Sequence, residues 1–475
     1  MGRRMAARSG AGRTVAVIGG GFSGTICAIH LLQHLQGNDR VVLIERERQL
    51  GRGVAFATAE PSHLLNVRAE NMSAFPDEPE HLLRWLDRLP ADERAQGAKE
   101  GPAGTFVQRG LYGRYVRDQL AAVLRAGRHA DRLTILNDQA TRLVRHGTSW
   151  HLATRNGRSL ETDIAVLATG NFPPAPLPYA GCVDNPWQPE AVEEIDRDHP
   201  VLLLGSGLTM IDVVLRLVDR GFRSTIHVLS RRGLLPRTHA PAPSYADLLL
   251  DAEDRRSLVS LTRAVRREIT RAQVAGFGWR SVIDALRPHS QLLWQELSPA
   301  DRRRFVRHLR PWWDVHRHRA APEVAERIHR LQAEGQLVLH AGRLEALEPS
   351  GPWSCGALAT YRPRGTTASL ALEVQRVINC TGTAVDLAAV DDPLIRQLLT
   401  SGTVRADGAR LGLDCTTSSM MIDAAGQVVP GLFGVGPVVR GAFWEITSVP
   451  DIRSQAVEVA RLIGRSLAGT VPAAA

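Results

Sequence analysis

Val15-Ala16-Val17-Ile18 runs straight into Gly19-Gly20-Gly21-Phe22-Ser23-Gly24, and the reading of that stretch decides the rest. Four apolar residues in a row fit a strand buried on both faces, as in a parallel sheet. The glycines then stand where a G-x-G-x-x-G turn opens a helix. Gly19 permits the tight turn, Gly21 lets backbone reach a pyrophosphate, and Gly24 lets helix and strand pack closely, with Ser23 inside the same turn. Glu45 ends the next apolar run, Val41-Val42-Leu43-Ile44, at about the twenty-residue offset this fingerprint expects. A carboxylate there accepts hydrogen bonds from adenosine ribose hydroxyls and repels a 2′-phosphate, so the turn predicts FAD or NAD over NADP.

A second turn, Gly205-Ser206-Gly207, follows Val201-Leu202-Leu203-Leu204 and opens a helical pattern through Thr209. Met210 stands where a third small residue is expected. Ser230-Arg231-Arg232 closes the next apolar strand, Ile226-His227-Val228-Leu229. Arginines in that position pair with a 2′-phosphate through forked, charge-assisted bonds, which predicts NADPH over NADH. Two such units suggest a flavoprotein that binds FAD first and NADPH second. The flavin would carry the redox chemistry, with the second unit delivering hydride to it.

The two halves repeat. Each runs from a glycine turn through strands to an apolar strand ending in Thr-Gly: Thr169-Gly170 in the first half, Thr381-Gly382 in the second. Glycine there lets backbone approach a cofactor. The predicted fold class is α/β, with two Rossmann-like dinucleotide-binding domains, the second interrupted by a helical insertion. The expected boundaries are a disordered leader over 1–12, an FAD domain over 13–175 and 370–466, and an NADPH domain over 195–369. The insertion covers about 245–330, a frayed tail 467–475, and a proline-rich hinge 173–200. Helices are expected over Arg255–Ala275, Ser281–Leu286, Pro299–Leu309 and Pro322–Glu334. Ser298-Pro299 reads as an N-cap followed by proline at the first helical position.

At 475 residues the chain is long enough for two or three domains. An apolar fraction of 44% is that of an ordinary water-soluble protein, and no apolar run approaches a membrane span. No secretory signal opens the chain, so a cytoplasmic location is expected. The net charge of +9 comes from arginines, with Lys99 the single lysine, and these sit among acidic residues. A nucleic-acid face would need basic residues segregated with aromatics. The expected partners are therefore a small molecule and molecular oxygen, with no nucleic acid and no membrane. Five cysteines include no Cys-x-x-Cys pair, which argues against a dithiol flavoenzyme of the thioredoxin-reductase type, and no zinc spacing. No metal is expected.

Near the C-terminus, Gly431-Leu432-Phe433-Gly434-Val435-Gly436-Pro437 is a glycine segment suited to a cofactor's close approach. It leads to Arg440-Gly441-Ala442-Phe443-Trp444-Glu445-Ile446-Thr447, whose Arg440, Trp444 and Glu445 are candidates for a substrate wall. For Trp444 and Glu445 a core tryptophan and a capping acid are equally open. The segment 309–319 is dense in Trp, Arg and His, as a packed polar junction between domains would be.

With those residues in view, the chain resembles FAD/NAD(P)-binding proteins that share their nucleotide domain with FAD-dependent urate hydroxylases and aspartate N-hydroxylases. Carrying segments are Gly51-Arg52-Gly53-Val54-Ala55-Phe56, His63-Leu64-Leu65-Asn66-Val67, Asn71-Met72-Ser73-Ala74-Phe75-Pro76, Leu111-Tyr112-Gly113-Arg114-Tyr115 and Ser230-Arg231-Arg232-Gly233-Leu234-Leu235-Pro236. Gly207-Leu208-Thr209-Met210-Ile211-Asp212, the 309–319 segment and the stretch from Arg440 to Thr447 complete the set. The resemblance implies a monooxygenase: NADPH reduces FAD, oxygen adds to give a C4a-hydroperoxyflavin, and one oxygen passes to the substrate. It places His63, Asn66 and Met72 by the isoalloxazine, with Arg52 and Gly53 before them as cofactor-binding candidates and Asn66 also a catalytic candidate. N-hydroxylation of a small anionic amine such as aspartate leads. Urate hydroxylation follows, then an NADPH-oxidising flavin reductase or electron-transfer protein, then a sensor that holds FAD without turnover.

Overall fold

The computed structural model describes residues 12–127, 130–179, 181–246 and 248–469. Two sheets organise it. The first runs Met420–Ile422, Val428–Gly434, Ile164–Leu167, Thr14–Ile18, Arg40–Glu45, Leu133–Asn137. All neighbours are parallel except the first pair. The central strand buries Val15 through Ile18, as an apolar run covered on both faces must: Val15 and Val17 on the helical side, Ala16 and Ile18 with Leu143, Trp150 and Leu152 on the other. The helix Phe22–His34 covers one face and is buried from Phe22 through Leu32. It packs against Arg109–Arg125 and Val449–Leu467.

The second sheet runs Cys182–Val183, Arg376–Asn379, Val201–Leu204, Ile226–Ser230, Leu337–Pro349, Ala357–Pro363, Leu370–Val374. It is parallel as far as Leu337–Pro349 and antiparallel beyond. Leu337–Pro349 serves both patterns because it is 13 residues long and carries a bulge between Leu344 and Ala346. The corresponding meander of the first half, Ala140–Thr162, is a separate three-stranded sheet.

Several expected boundaries move. Residues 370–379 lie in the second sheet, so the return to the first unit comes after Asn379 and not at 370. The helix Pro322–Ala333 packs its Val324, Ala325, Ile328 and Leu331 into the core of the second unit, so the insertion ends sooner than 330. Within it, Ser298 Oγ accepts from the Asp301 amide at 3.1 Å, and Pro299 takes the first helical position. Pro299–Arg304 gives way to a π-helical turn, Phe305–Leu309, then the helix Arg310–Arg317.

Residues 1–11 and 470–475, most of the expected leader and tail, lie outside the described residues. Gly12 is packed, since a Cβ there would stand 1.9 Å from the Asn38 carbonyl oxygen. The last helix continues through Leu467, which packs against the core. Among the described residues no helix is long and apolar enough to cross a membrane.

Candidate functional site

The first glycine turn sits at the carboxyl end of the central strand, where open α/β sheets bind ligands. Gly19 has φ 107°, and a Cβ on it would stand 2.3 Å from the Ala168 carbonyl oxygen. A Cβ on Gly24 would come 1.7 Å from the Gly19 carbonyl oxygen. Gly21 is the N-cap of the Phe22–His34 helix and supplies no side-chain cap, so amides of the first turn face outward for an anion. Glu45 is tied to the turn itself: its carboxylate accepts from the Gly20 amide at 2.5 Å and the Glu47 amide at 2.9 Å. Two carboxylate oxygens offer about four lone pairs, so acceptor capacity for a ribose remains.

Three further segments close on this turn. The Gly51 amide donates to the Gly20 carbonyl at 2.8 Å, laying Gly51-Arg52-Gly53 over the glycines. Gly53 has φ 52°. Arg52 Nε is buried with no partner among the described residues, and so is Thr169 Oγ1, beside Gly170 at the end of the neighbouring strand. Gly436 packs on Ser23, its missing Cβ falling 2.4 Å from Ser23 Oγ, and its amide donates to Gln455 at 2.8 Å. Glycines that a Cβ would fill, outward amides and orphaned polar atoms together fit a dinucleotide with its pyrophosphate at the helix N-terminus.

The second turn repeats the device. Gly205 has φ 103°, and a Cβ there would stand 2.4 Å from the Cys380 carbonyl oxygen. Gly207 is the N-cap of the Leu208–Asp219 helix, with open space where a Cβ would be, and Thr209 lies in that helix's first turn. Met210 is fully buried in the second core, so the residue at the third glycine's position packs instead of approaching phosphate. Ser206 Oγ donates to the Leu234 carbonyl at 2.6 Å and lies 2.8 Å from Ser230 Oγ, which also accepts from the Gly233 amide at 3.0 Å. Ser230 thus shapes the turn. Arg231 is exposed, and Arg232 is half-buried, reaching the His308 carbonyl at 3.4 Å. Gly382, φ 97°, faces open space.

The remaining candidates divide. Arg440 is 7% exposed, and with Gly170, Asn171, Thr383, Gly412 and Pro437 it lines a narrow cleft. Phe172 and Ala384, bridged to each other, belong to the two crossover segments beside it. The Arg440 guanidinium stacks 4.5 Å from the Trp444 ring centroid, and its Nε has no partner among the described residues. Burial, with help from Arg310, pulls its pKa down to about 10.

Trp444 and Glu445 do not line that cleft. They are 3% and 2% exposed, at a junction with the helical insertion. Trp444 packs 5.0 Å from the rings of both Trp294 and Phe305. Glu445 accepts from Trp313 Nε1 at 2.8 Å and pairs with Arg317 at 3.2 Å, an ion pair not aligned as a hydrogen bond. Burial works against its charge, but Arg317, His318, Trp313 and Arg440 outweigh that and hold its pKa below the usual value. Met72 is 3% exposed and packs inside the first core.

His63 is also buried. Its Nδ1 lies 2.9 Å from Thr58 Oγ1 and its Nε2 donates to the Asp212 carbonyl at 3.0 Å, across to the second unit. Burial lowers its pKa, favouring the neutral ring. Asn66 is half-buried and its carbonyl accepts from His239 Nε2 at 3.0 Å, which leaves its side-chain amide out of that bond. Sequence reasoning missed Arg109, Asp212 and His239, which join the two units. Only the motif Gly207-Leu208-Thr209-Met210-Ile211-Asp212 contained a signal, and nothing in it named a partner. Among the described residues no three His, Cys, Asp or Glu side chains converge to hold a metal.

Residues 16–172 match the family model of FAD-NAD(P)-binding domains. An uncharacterized protein of Mycobacterium tuberculosis is 22% identical over 522 aligned residues, covering 95% of each chain. The reduced ornithine hydroxylase of Pseudomonas aeruginosa is similar in fold, with a TM-score of 0.65 at 14% identity over 96% of this chain and 100% of that one. The ornithine N-hydroxylase of Kutzneria sp. 744, solved with reduced FAD, NADP⁺ and L-ornithine, gives a TM-score of 0.61 at 14% identity over 96% and 99%.

Proposed function

We propose that this chain, whose residues 16–172 carry a domain of the FAD-NAD(P)-binding family, is an FAD- and NADPH-dependent monooxygenase that hydroxylates a small anionic amine. The Gly19–Gly24 turn, with Glu45, Arg52, Thr169 and Gly436, would hold FAD. The Gly205–Gly207 turn, with Arg231 and Arg232, would hold NADPH. FAD, when bound, supplies the electron and oxygen chemistry. NADPH provides two electrons, one atom of molecular oxygen goes to the substrate nitrogen, and the other leaves as water.

One observation carries the choice of an anionic substrate. Arg440 lines a cleft beside Gly170 and Pro437, next to the proposed flavin cradle, and its buried guanidinium has an Nε without a partner among the described residues. A buried cation without a full set of partners costs stability unless an anion completes it. A carboxylate does so with two parallel bonds. Aspartate, which offers both an amine and carboxylates, is the first compound to try, and urate the second.

The test is rapid mixing of NADPH-reduced protein with oxygenated buffer, with and without aspartate or urate. The expected result is a transient absorbance, distinct from oxidised and reduced flavin, whose decay aspartate accelerates while a hydroxylamine accumulates. Direct reoxidation, unaffected by either compound and without product, would overturn the reading in favour of a flavin reductase.

A further inference from the structure

The segment from Thr58 to Arg68 belongs to the first unit, yet residues of the second hold it on two sides. On one side stands the Leu208–Asp219 helix, whose N-terminus is the anion-facing end of the second glycine turn. Asp212, one turn into that helix, receives Arg109 Nη1 on its carboxylate at 2.5 Å and His63 Nε2 on its carbonyl at 3.0 Å. Arg109 Nε in turn donates to the Leu64 carbonyl at 3.0 Å, and the Arg109 amide to the His63 carbonyl at 2.9 Å. Further along the helix, Arg220 reaches Glu60 at 2.9 Å. On the other side, His239 donates to the Asn66 carbonyl at 3.0 Å, and Arg68 Nη2 to the Ala240 carbonyl at 3.0 Å.

Asp212 is 7% exposed and His63 5%, so these bonds are shielded from competing water. The bracket ties the end of the helix that would carry the nicotinamide cofactor's pyrophosphate to the loop that carries Asn66. Glu60–Arg220 is a partly exposed pair of small worth, and Arg109–Asp212 is the buried member.

We propose that Asp212, Arg109 and His63 are positioning residues that set the distance between nicotinamide and flavin for hydride transfer. The proposal rests on the reading that the second unit delivers hydride to FAD in the first. Their work is geometric: hydride moves as a pair of electrons with its proton from the nicotinamide ring to the flavin, and the bracket neither donates nor accepts it. A misplacement of about 1 Å at a reacting centre can cost on the order of a hundredfold in rate.

The experiment is anaerobic stopped-flow reduction of FAD-replete enzyme by NADPH. Asp212→Asn, which keeps shape and removes charge, is expected to lower the limiting reduction rate by about tenfold or more while the half-saturating NADPH concentration stays within about twofold. Arg109→Lys, which keeps charge but not the fork, is expected to be slowed less than Arg109→Gln. The double variant, Arg109→Gln with Asp212→Asn, is expected to be no slower than the worse single variant, because the two act as a pair. A contact that only stabilised the fold would lower Tm and leave the reduction rate intact, and that outcome in Asp212→Asn and Arg109→Lys would overturn the proposal. Failure of NADPH to reduce the wild-type flavin would overturn the hydride-delivery reading, and the bracket's role with it. Normal wild-type reduction with unslowed variants would overturn the bracket alone.

Discussion

The backbones of Gly21 and Gly53 face each other across the space of one methyl group: a Cβ on Gly21 would stand 3.4 Å from the Gly53 Cα, and one on Gly53 would stand 3.5 Å from the Gly21 Cα. The glycine turn and the loop bearing Arg52 therefore approach closely, with room for a methyl group between them, and a methyl there would compete with a phosphate held by the turn. Gly21→Ala is expected to fold with nearly unchanged Tm and to bind FAD about tenfold or more weakly, as one charge-assisted amide contact is lost. Gly24→Ala differs, because its methyl would stand 1.7 Å from the Gly19 carbonyl oxygen and displace the turn itself. It should lose both FAD and Tm. Flavin content and thermal unfolding of the two variants check this, and equal losses of Tm would contradict it.

Arg231 and Arg232 stand at the end of the Ile226–Ser230 strand, with Arg231 exposed and its guanidinium available to a 2′-phosphate. Replacing both by alanine is expected to raise the KM for NADPH by about a hundredfold, in line with the loss of two charge-assisted contacts. The KM for NADH should move little. Steady-state kinetics with both cofactors decide it, and parallel losses would place the 2′-phosphate elsewhere.

Arg440→Gln removes the buried cation and keeps a hydrogen-bond donor. The KM for an anionic substrate is expected to rise by about tenfold or more, since a bond to a charged group contributes roughly 1.5–3 kcal/mol. NADPH reduction of FAD without substrate should stay as it is. A fall in that reduction rate with no change in substrate KM would show that Arg440 serves the flavin and not the substrate.

What the sequence could disclose was what lies close along the chain. Glycine turns, the acid at Glu45 and the cap at Ser298 are local patterns, and each occurs at its expected place. The Thr-Gly at 169–170 lies against the turn because the strand before it pairs with the strand leading into Gly19. The choice between wall and core for Trp444 and Glu445 was not legible, because their partners Trp294, Trp313 and Arg317 stand more than a hundred residues earlier in the chain. His63 and Asp212 are 149 residues apart, and neither carries a pattern that names the other. The boundary after Asn379 escaped for the same reason. Strand 370–374 has no mark of its own that says which sheet it joins, although the Thr381-Gly382 ending had already set strand 376–379 in the second half.

Acid should weaken the junction between the two units. Burial pulls the His239 pKa from 6.5 down to about 4. Between those values the unfolded chain carries a proton on this ring and the folded chain does not, so unfolding takes up a proton and is favoured as pH falls. The contribution is intact above pH 6.5 and lost on the way down to about 4. His227, pulled to about 4 by burial and His340, adds to the same slope. His239→Gln can keep a donor toward the Asn66 carbonyl without a titrating proton, and its Tm should fall less steeply than wild type across this range. An unchanged slope in calorimetry would remove His239 from the cause.

Glu445 tests whether the buried junction is structure or substrate wall. Its carboxylate balances Arg317, which is 8% exposed, and accepts from the Trp313 indole. In Glu445→Gln the amide oxygen can still accept from Trp313, but the buried guanidinium loses the carboxylate it pairs with at 3.2 Å. Removing one partner of such a pair costs about 3–5 kcal/mol. Trp444→Phe should cost less, because it keeps an aromatic ring against Trp294 and Phe305 and removes an indole nitrogen that has no partner among the described residues. Denaturant unfolding ranks the two variants. A structural junction requires Glu445→Gln to be the less stable, with substrate KM near wild type in whatever fraction remains folded. A stable Glu445→Gln with a raised substrate KM would return Glu445 to the wall of the site, and would mean that the helical insertion reaches the substrate through it.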